Sequence, residues 1–298
     1  MKKTIFTGSA VALVTPMHPD GSVHYEMLEK LVDFHLSHGT NAIVACATTG
    51  ESPTLSTEES VRIVASIAKR VNGKIPVVAG SGSNDTKHAL ELSLALQDAG
   101  ADALLMVTPY YNKTSQAGLV KHFTYIADRV KIPIILYNIP SRTGLKIQPE
   151  TYLELSRHPG IAGTKDATGD LAALAKTVLL CGDELAVYSG EDNLTLPTLS
   201  IGGKGVISTS ANVIPQEMSE ICRQYFLGNC AESRKIFLRN LELMNALFVD
   251  VNPMPVKAAM RFAGWDCGEC RLPLVSVSEE NARLIRGILK KYGLLAQA

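Results

Sequence analysis

The chain has 298 residues, enough for one large barrel-sized domain with an appendage and too many for a minimal domain. Hydrophobic residues make up 46% and aromatics only 6%, so the core is sizeable and aliphatic. Lys+Arg and Asp+Glu both number 29, and a chain without net charge has no electrostatic reason to seek nucleic acid or an anionic membrane. The expected partners are small molecules and copies of itself.

No apolar run approaches the roughly 18–20 residues that span a bilayer. The apolar segment Ala10–Val14 is broken at once by Pro16, Pro19 and Gly21, which reads as a first strand rather than a signal peptide. The six cysteines are scattered through a large apolar chain, as expected of reduced thiols in a cytoplasmic protein. Cys267 and Cys270 form a single CxxC, with no second half or nearby His for zinc and no βαβ frame for redox chemistry; they read as incidental loop thiols.

In chain order, short apolar runs alternate with amphipathic stretches. Strand Gly8–Val14 precedes helix Tyr25–Ser37, Ala42–Ala47 precedes Thr57–Val71, Pro76–Ala79 precedes Thr86–Ala99, and Ala103–Thr108 precedes Gln116–Arg129. The second half continues with Ile132–Asn138 and Pro149–Ser156, Gly160–Lys165 and Asp170–Leu180, Leu185–Ser189 and Asp192–Ile201, and Gly205–Ser208 and Pro215–Phe226. Ser56-Thr57-Glu58-Glu59 carries a capping hydroxyl and acids for a helix start, and Gly39 and Gly100 suit left-handed helix ends. Strict alternation predicts a parallel sheet with helices outside, and eight units predict a closed (β/α)8 TIM barrel over residues 1–226. Gly80-Ser81-Gly82 is the nearest approach to a dinucleotide loop, but Asp85 stands where its third glycine belongs. Residues 227–298 read as a C-terminal helical appendage, with helices at Glu232–Val249, Pro255–Arg261 and Ser278–Tyr292.

A barrel presents its chemistry at the C-terminal ends of its strands. Lys165 ends the sixth, and alternation puts Ile161, Gly163 and Lys165 on one face. If that face is the lumen, poor hydration disfavours the charged amine, and a neutral amine attacks a ketone to give an electron-withdrawing iminium. A strand-end lysine reaching solvent is the competing reading. Tyr137 lies one βα repeat earlier, so its phenol should neighbour the lysine and shuttle protons, unless it is a wall aromatic. Thr48-Thr49-Gly50 suits a carboxylate nest or is a plain turn with capping threonines. Arg142, after a Pro-Ser turn, is shaped to grip a second carboxylate or is simply exposed. Glu191 and Asp192 would repel the phosphate that many barrels bind there, and no histidine set suits a metal. His35 and His38 belong at the bottom end of helix 1, where they meet the helix dipole.

The segments Thr48-Thr49-Gly50-Glu51-Ser52, Tyr137-Asn138-Ile139-Pro140-Ser141-Arg142-Thr143-Gly144 and Gly163-Thr164-Lys165-Asp166 together resemble the dihydrodipicolinate synthase family. That family belongs to the pyruvate-dependent N-acetylneuraminate lyase superfamily. The likeness extends over essentially the whole chain, including Asn252-Pro253-Met254-Pro255-Val256-Lys257. It implies a cofactor-free condensation of pyruvate with aspartate semialdehyde through a Schiff base on Lys165, in lysine and diaminopimelate biosynthesis. It implies a proton relay of Tyr137, Thr49 and Tyr111, the last supplied by a neighbouring subunit, and hence a dimer or tetramer. Thr48 and Thr49 would hold the pyruvate carboxylate, Arg142 that of the semialdehyde, and Gly190 and Ile207 would offer backbone carbonyls. Two departures stand out. Ala47 replaces a glycine, which needs a negative φ there. In the effector site for lysine, Ser52, Asn84 and Tyr110 match, but His88 replaces a glutamate and Thr57 and Ser60 replace histidines, which implies weak or absent inhibition. Other pyruvate aldolases, acting on sialic acid or a 2-keto-3-deoxy sugar acid, generally lack the Pro-Ser-Arg-Thr segment. A non-catalytic binding barrel would have no use for Lys165 beside Tyr137.

Overall fold

The computed structural model describes residue 2 and residues 4–296. All eight expected strands are present: β1 (Gly8–Ala12), β2 (Ala42–Ala45), β3 (Val77–Gly80), β4 (Ala103–Val107), β5 (Ile134–Asn138), β6 (Ile161–Asp166), β7 (Ala186–Ser189) and β8 (Gly205–Ser208). They pair in chain order, all parallel, and β8 closes onto β1. Parallel neighbours need a long crossover, and each is made by helices on the outside: α1 (Tyr25–Ser37), α2 (Thr57–Val71), α3 (Thr86–Asp98), α4 (Gln116–Ala127), α5 (Pro140–Thr143), α6 (Pro149–Ser156), α7 (Leu171–Cys181) and α8 (Thr195–Ser200). After β8 come α9 (Pro215–Phe226), α10 (Cys230–Ala246), α11 (Met254–Phe262) and α12 (Glu279–Lys291).

Local chemistry explains the element ends. The Ser56 hydroxyl accepts from the Glu59 N–H, and the Glu59 carboxylate accepts from the Ser56 N–H, a reciprocal cap that starts α2. Gly39 and Gly100, at φ 77° and 98°, close α1 and α3 in the left-handed region. Two differences from the sequence pattern matter for the site. The expected helix over 192–201 is split into a 3-10 turn at Asp192–Leu194 and α8, because the Asp192 carboxylate turns inward to accept from the Ser210 N–H and hydroxyl. The turn at Pro140-Ser141 is a full helical turn, α5, which carries Arg142.

Side chains alternate between two apolar layers. Ile134, Leu136 and Leu104 face the helices, whereas Ile135, Tyr137 and Leu105 face the lumen. Small residues such as Ala10, Ala42, Ala103 and Ala186 keep the lumen open, and its floor is a stack of Phe6 on Tyr188 with centroids 4.3 Å apart. The expectation that Ile161 shares a face with Gly163 and Lys165 is wrong. The ladder slips between Ile134 and Ile135, so Ile134 pairs with Ile161 but Ile135 pairs with Gly163. That bulge resets the alternation, leaving Ile161 against the helices while Gly163 and Lys165, opposite Ile135 and Tyr137, face the lumen. Gly163 is needed there, since a Cβ would meet the Ala186 carbonyl oxygen at 2.7 Å.

The C-terminal helices share the outer layer, through Leu243, Met244, Val256, Ala259, Ile285 and Leu289. They are also tied to the barrel by charge. The Lys257 amine on α11 lies 2.7 Å from the Glu51 carboxylate on the loop after β2, both fully buried. Arg271 donates to both oxygens of Glu59 on α2 and, through its backbone N–H, to Glu51. At the barrel's other end His35 is buried against Thr40, burial pushing its imidazole down to about 3, and His38 reaches the Phe34 carbonyl at the end of α1. Among the described residues, no helix is long and apolar enough to cross a membrane.

Candidate active site

The register places Tyr137 directly opposite Lys165, and Lys165 opposite Tyr188. Lys165 is 4% exposed, and its Nζ lies 4.4 Å from the centre of the Tyr137 ring. Neither the amine nor the Tyr137 hydroxyl has a hydrogen-bond or ion-pair partner among the described residues. Both residues line a cavity of about 710 Å³ at the C-terminal mouth, together with Thr48, Thr49, Arg142, Gly190 and Asn252. A buried amine with no partner is free to act on whatever fills that space.

Across the cavity, the loop after β2 is built to expose its backbone. Cys46 (φ 52°) and Glu51 (φ 60°) take the left-handed conformation at its two ends, so Ala47, where the glycine was missed, does not have to. Gly80 makes the turn possible, since a Cβ there would collide with the Cys46 carbonyl oxygen at 2.1 Å. Thr15 pins the loop by donating to the Gly50 carbonyl at 2.7 Å, and Lys257 pins it through Glu51. The consequence is that the N–H groups of Thr48, Thr49 and Gly50 have no protein acceptor among the described residues. Consecutive unpaired N–H groups, with Thr48 and Thr49 lining the cavity, suit an anion.

The remaining site residues divide by location. Arg142 is exposed at the rim, where its Nη2 donates to the Asn252 carbonyl at 2.9 Å. Gly190 lines the cavity, and no larger residue fits, because a Cβ would meet Ala167 Cβ at 2.8 Å and the Asp166 carbonyl oxygen at 2.9 Å. Ile207 is fully buried in the lumen core and does not line the cavity. Thr49 does not contact Tyr137 through a hydrogen bond; its hydroxyl engages Asn252 Nδ2 at 3.0 Å and Thr209 at 3.3 Å. Thr48, which borders both this cavity and a second one together with Tyr137, occupies the position between them. Tyr111 is 91% exposed on a loop with φ 68° and does not line the Lys165 cavity of its own chain. Burial pushes the carboxyls of Asp166, Glu191 and Asp192 up, Asp192 being drawn back in part by hydrogen bonds from Ser208 and Ser210 and by Lys165.

The second cavity, of about 370 Å³, gathers Ser52, His88 and Tyr110 with Thr57 and Ser60. Asn84 is not part of it; it borders a shallow depression, and its carbonyl accepts from Asn112 at 2.9 Å. Among the described residues, no Asp or Glu lines this second cavity. Cys267 is buried and Cys270 half-buried, and burial pushes their thiols up to about 12 and about 11, so neither is a thiolate at neutral pH.

Sequence reasoning attached no role to Asn252, Thr209, Glu51 or Lys257. The signal for Asn252 and Lys257 was the tight Asn-Pro-Met-Pro-Val-Lys run, but its destination is a matter of topology, since about two hundred residues separate it from Thr49 and Glu51.

Fold and site together define a (β/α)8-barrel enzyme with a buried lysine and a tyrosine at the mouth of the lumen. Residues 5–292 match the model of the dihydrodipicolinate synthetase family, and the chain belongs to that family. It is 48% identical over 295 residues to the 4-hydroxy-tetrahydrodipicolinate synthase of Thermoanaerobacter sp. (strain X514), covering 99% of each chain. Among solved structures it resembles the chloride-inhibited dihydrodipicolinate synthase of Acinetobacter baumannii complexed with pyruvate, with a TM-score of 0.96 and 42% identity over 98% of this chain and all of that one. It also resembles the enzyme of Cyanidioschyzon merolae with lysine bound, with a TM-score of 0.95 and 39% identity over 98% of this chain and all of that one.

Proposed function

We propose that this chain condenses pyruvate with aspartate semialdehyde to 4-hydroxytetrahydrodipicolinate, in the cytoplasm and as a homo-oligomer, in lysine and diaminopimelate biosynthesis. The observation that carries the reading is the unpaired Lys165 amine, buried over Tyr137 in a cavity that is also lined by Thr48 and Thr49, whose backbone N–H groups are unpaired among the described residues. A 2-keto acid satisfies both ends at once. Its carboxylate fills the nest of Thr48, Thr49 and Gly50, and its carbonyl carbon meets the amine. The amine adds to the ketone, Tyr137 passes protons through the carbinolamine, and water leaves to give the iminium. Loss of a C3 proton gives the enamine, whose carbon attacks the aldehyde held by Arg142. The semialdehyde's own amine then displaces Lys165 from the iminium carbon, closing the ring and freeing the enzyme. The Thr49 hydroxyl is engaged by Asn252 and Thr209 rather than Tyr137, whereas Thr48 lines both cavities that Tyr137 borders, so we assign Thr48 the relay position and Thr49 to carboxylate binding. The exposed Tyr111 completes the relay from the partner subunit.

The test is borohydride reduction in the presence of pyruvate, followed by digestion and mass mapping. A reduced pyruvate adduct on Lys165 is expected; folded protein that gives none would overturn the Schiff base and leave a binding barrel. Tyr137→Phe is expected to slow adduct formation by about 10²–10⁴-fold without changing its final extent, since a proton shuttle alters rates and not equilibria. An unchanged trapping rate would remove Tyr137 from the relay.

We also propose that L-lysine is a poor effector here. An ammonium group entering the second cavity meets His88 and finds no carboxylate of this chain. Steady-state assays are expected to show no inhibition by sub-millimolar L-lysine, and inhibition in that range would refute the proposal.

A further inference from the structure

Asn252 is the residue that joins the two halves of the proposed site. It is 8% exposed and reaches the cavity from the connection between α10 and α11. Its main chain and side chain have separate tasks. The carbonyl accepts from Arg142, while Nδ2 donates to the Thr49 hydroxyl at 3.0 Å. The buried Oδ1 has no hydrogen-bond partner among the described residues.

A hydroxyl that already accepts a hydrogen bond has its own proton left to give. Among the described residues the Thr49 hydroxyl has one other hydrogen-bond partner, Thr209 at 3.3 Å, which is a long contact between hydroxyls. We infer that Asn252 is a positioning residue that fixes the direction of the Thr49 hydroxyl, holding its proton available to the carboxylate of the 2-keto acid. The inference rests on the reading of the site given above and extends it. It assigns to a side chain of the C-terminal region control over the keto-acid pocket, and to the same residue's carbonyl the tie to the aldehyde-side arginine. The orphaned Oδ1 is consistent with this orientation being imposed by Thr49, because turning the amide over would leave the two-proton Nδ2 unpaired instead.

Two variants separate the tasks. Asn252→Ala removes the donor and keeps the carbonyl. Asn252→Asp keeps the shape but presents only acceptors, so the Thr49 proton turns away from the cavity toward residue 252. Both are expected to raise the KM for pyruvate about tenfold, the equivalent of one lost hydrogen bond. Both should also slow borohydride trapping at sub-saturating pyruvate in proportion, and leave the KM for the semialdehyde within about twofold. A damaged scaffold would instead move both KM values together. Thr49→Val should reproduce the pyruvate effect, and adding Asn252→Ala to it should make matters no worse, because the two act through one hydrogen bond.

The outcomes sort cleanly. Wild-type trapping on Lys165 with an unchanged pyruvate KM in folded Asn252→Ala overturns the inference and leaves the proposed function standing. A wild-type-like Asn252→Asp overturns it as well, by showing that Thr49 donates to residue 252. Multiplicative effects in the double variant would mean that the two residues act independently, against the inference. If the wild-type enzyme itself traps no pyruvate, the function and the inference fall together.

Discussion

Lys165→Met is expected to abolish turnover, by a factor on the order of 10⁶ in kcat as for loss of a covalent nucleophile, while the melting temperature stays level or rises. The two halves of this expectation come from the same fact. The amine is 4% exposed and has no ion-pair partner among the described residues, so the fold gains little from it and bears its desolvation. Methionine fills nearly the same volume against the Tyr137 ring and removes that cost. Asp192, which loses the attraction of Lys165 in the variant, already has its carboxyl pushed up by burial. A calorimetric scan together with a steady-state assay checks both halves. An inactive variant that melts well below the wild type would show that the amine holds the barrel together, contrary to the reading of it as a reactive group. Residual turnover within a hundredfold of wild type would show that the chemistry does not pass through this lysine.

The barrel was legible because its periodicity is simple. Short β-branched runs bounded by Gly and polar residues recur at the spacing of a βα unit, and the reciprocal cap at Ser56 and Glu59 marks a helix start by local chemistry alone. Lys165 and Tyr137 were legible as neighbours because strand order equals chain order, which makes adjacency in sequence adjacency in space. What was not legible has physical reasons too. The bulge between Ile134 and Ile135 inserts one residue into the ladder, and alternation counted along β6 alone cannot register it. Which threonine stands beside Tyr137 depends on the left-handed turns at Cys46 and Glu51, non-glycine residues that carry no sequence signature for such a turn. Asn252 and Lys257 reach the site from the far end of the chain, through contacts that no local pattern encodes.

That last connection has the largest structural consequence. Lys257→Met is expected to destabilise the protein by about 3–5 kcal/mol, because it leaves the Glu51 carboxylate buried without its counter-charge. Lys257 is 1% exposed and Glu51 2%, so water cannot take the amine's place. Glu51 would keep the Arg271 backbone N–H at 2.8 Å, and the carbonyls of Thr15 and Glu269 would lose the donor they now share. The ion pair itself need not be a net source of stability, since two charges had to be taken from water to form it. The informative comparison is therefore the double variant Glu51→Gln/Lys257→Met, which removes both charges and is expected to recover most of the loss. Denaturant unfolding of the two variants measures this directly. A single variant within about 1 kcal/mol of wild type would mean that the loop is held by Thr15 and the packing around it, and that the C-terminal region is dispensable for its shape. The expected result instead ties that region to the chemistry. Glu51 closes the turn whose preceding N–H groups form the nest, so loosening it should also lower the rate of pyruvate trapping in whatever fraction remains folded.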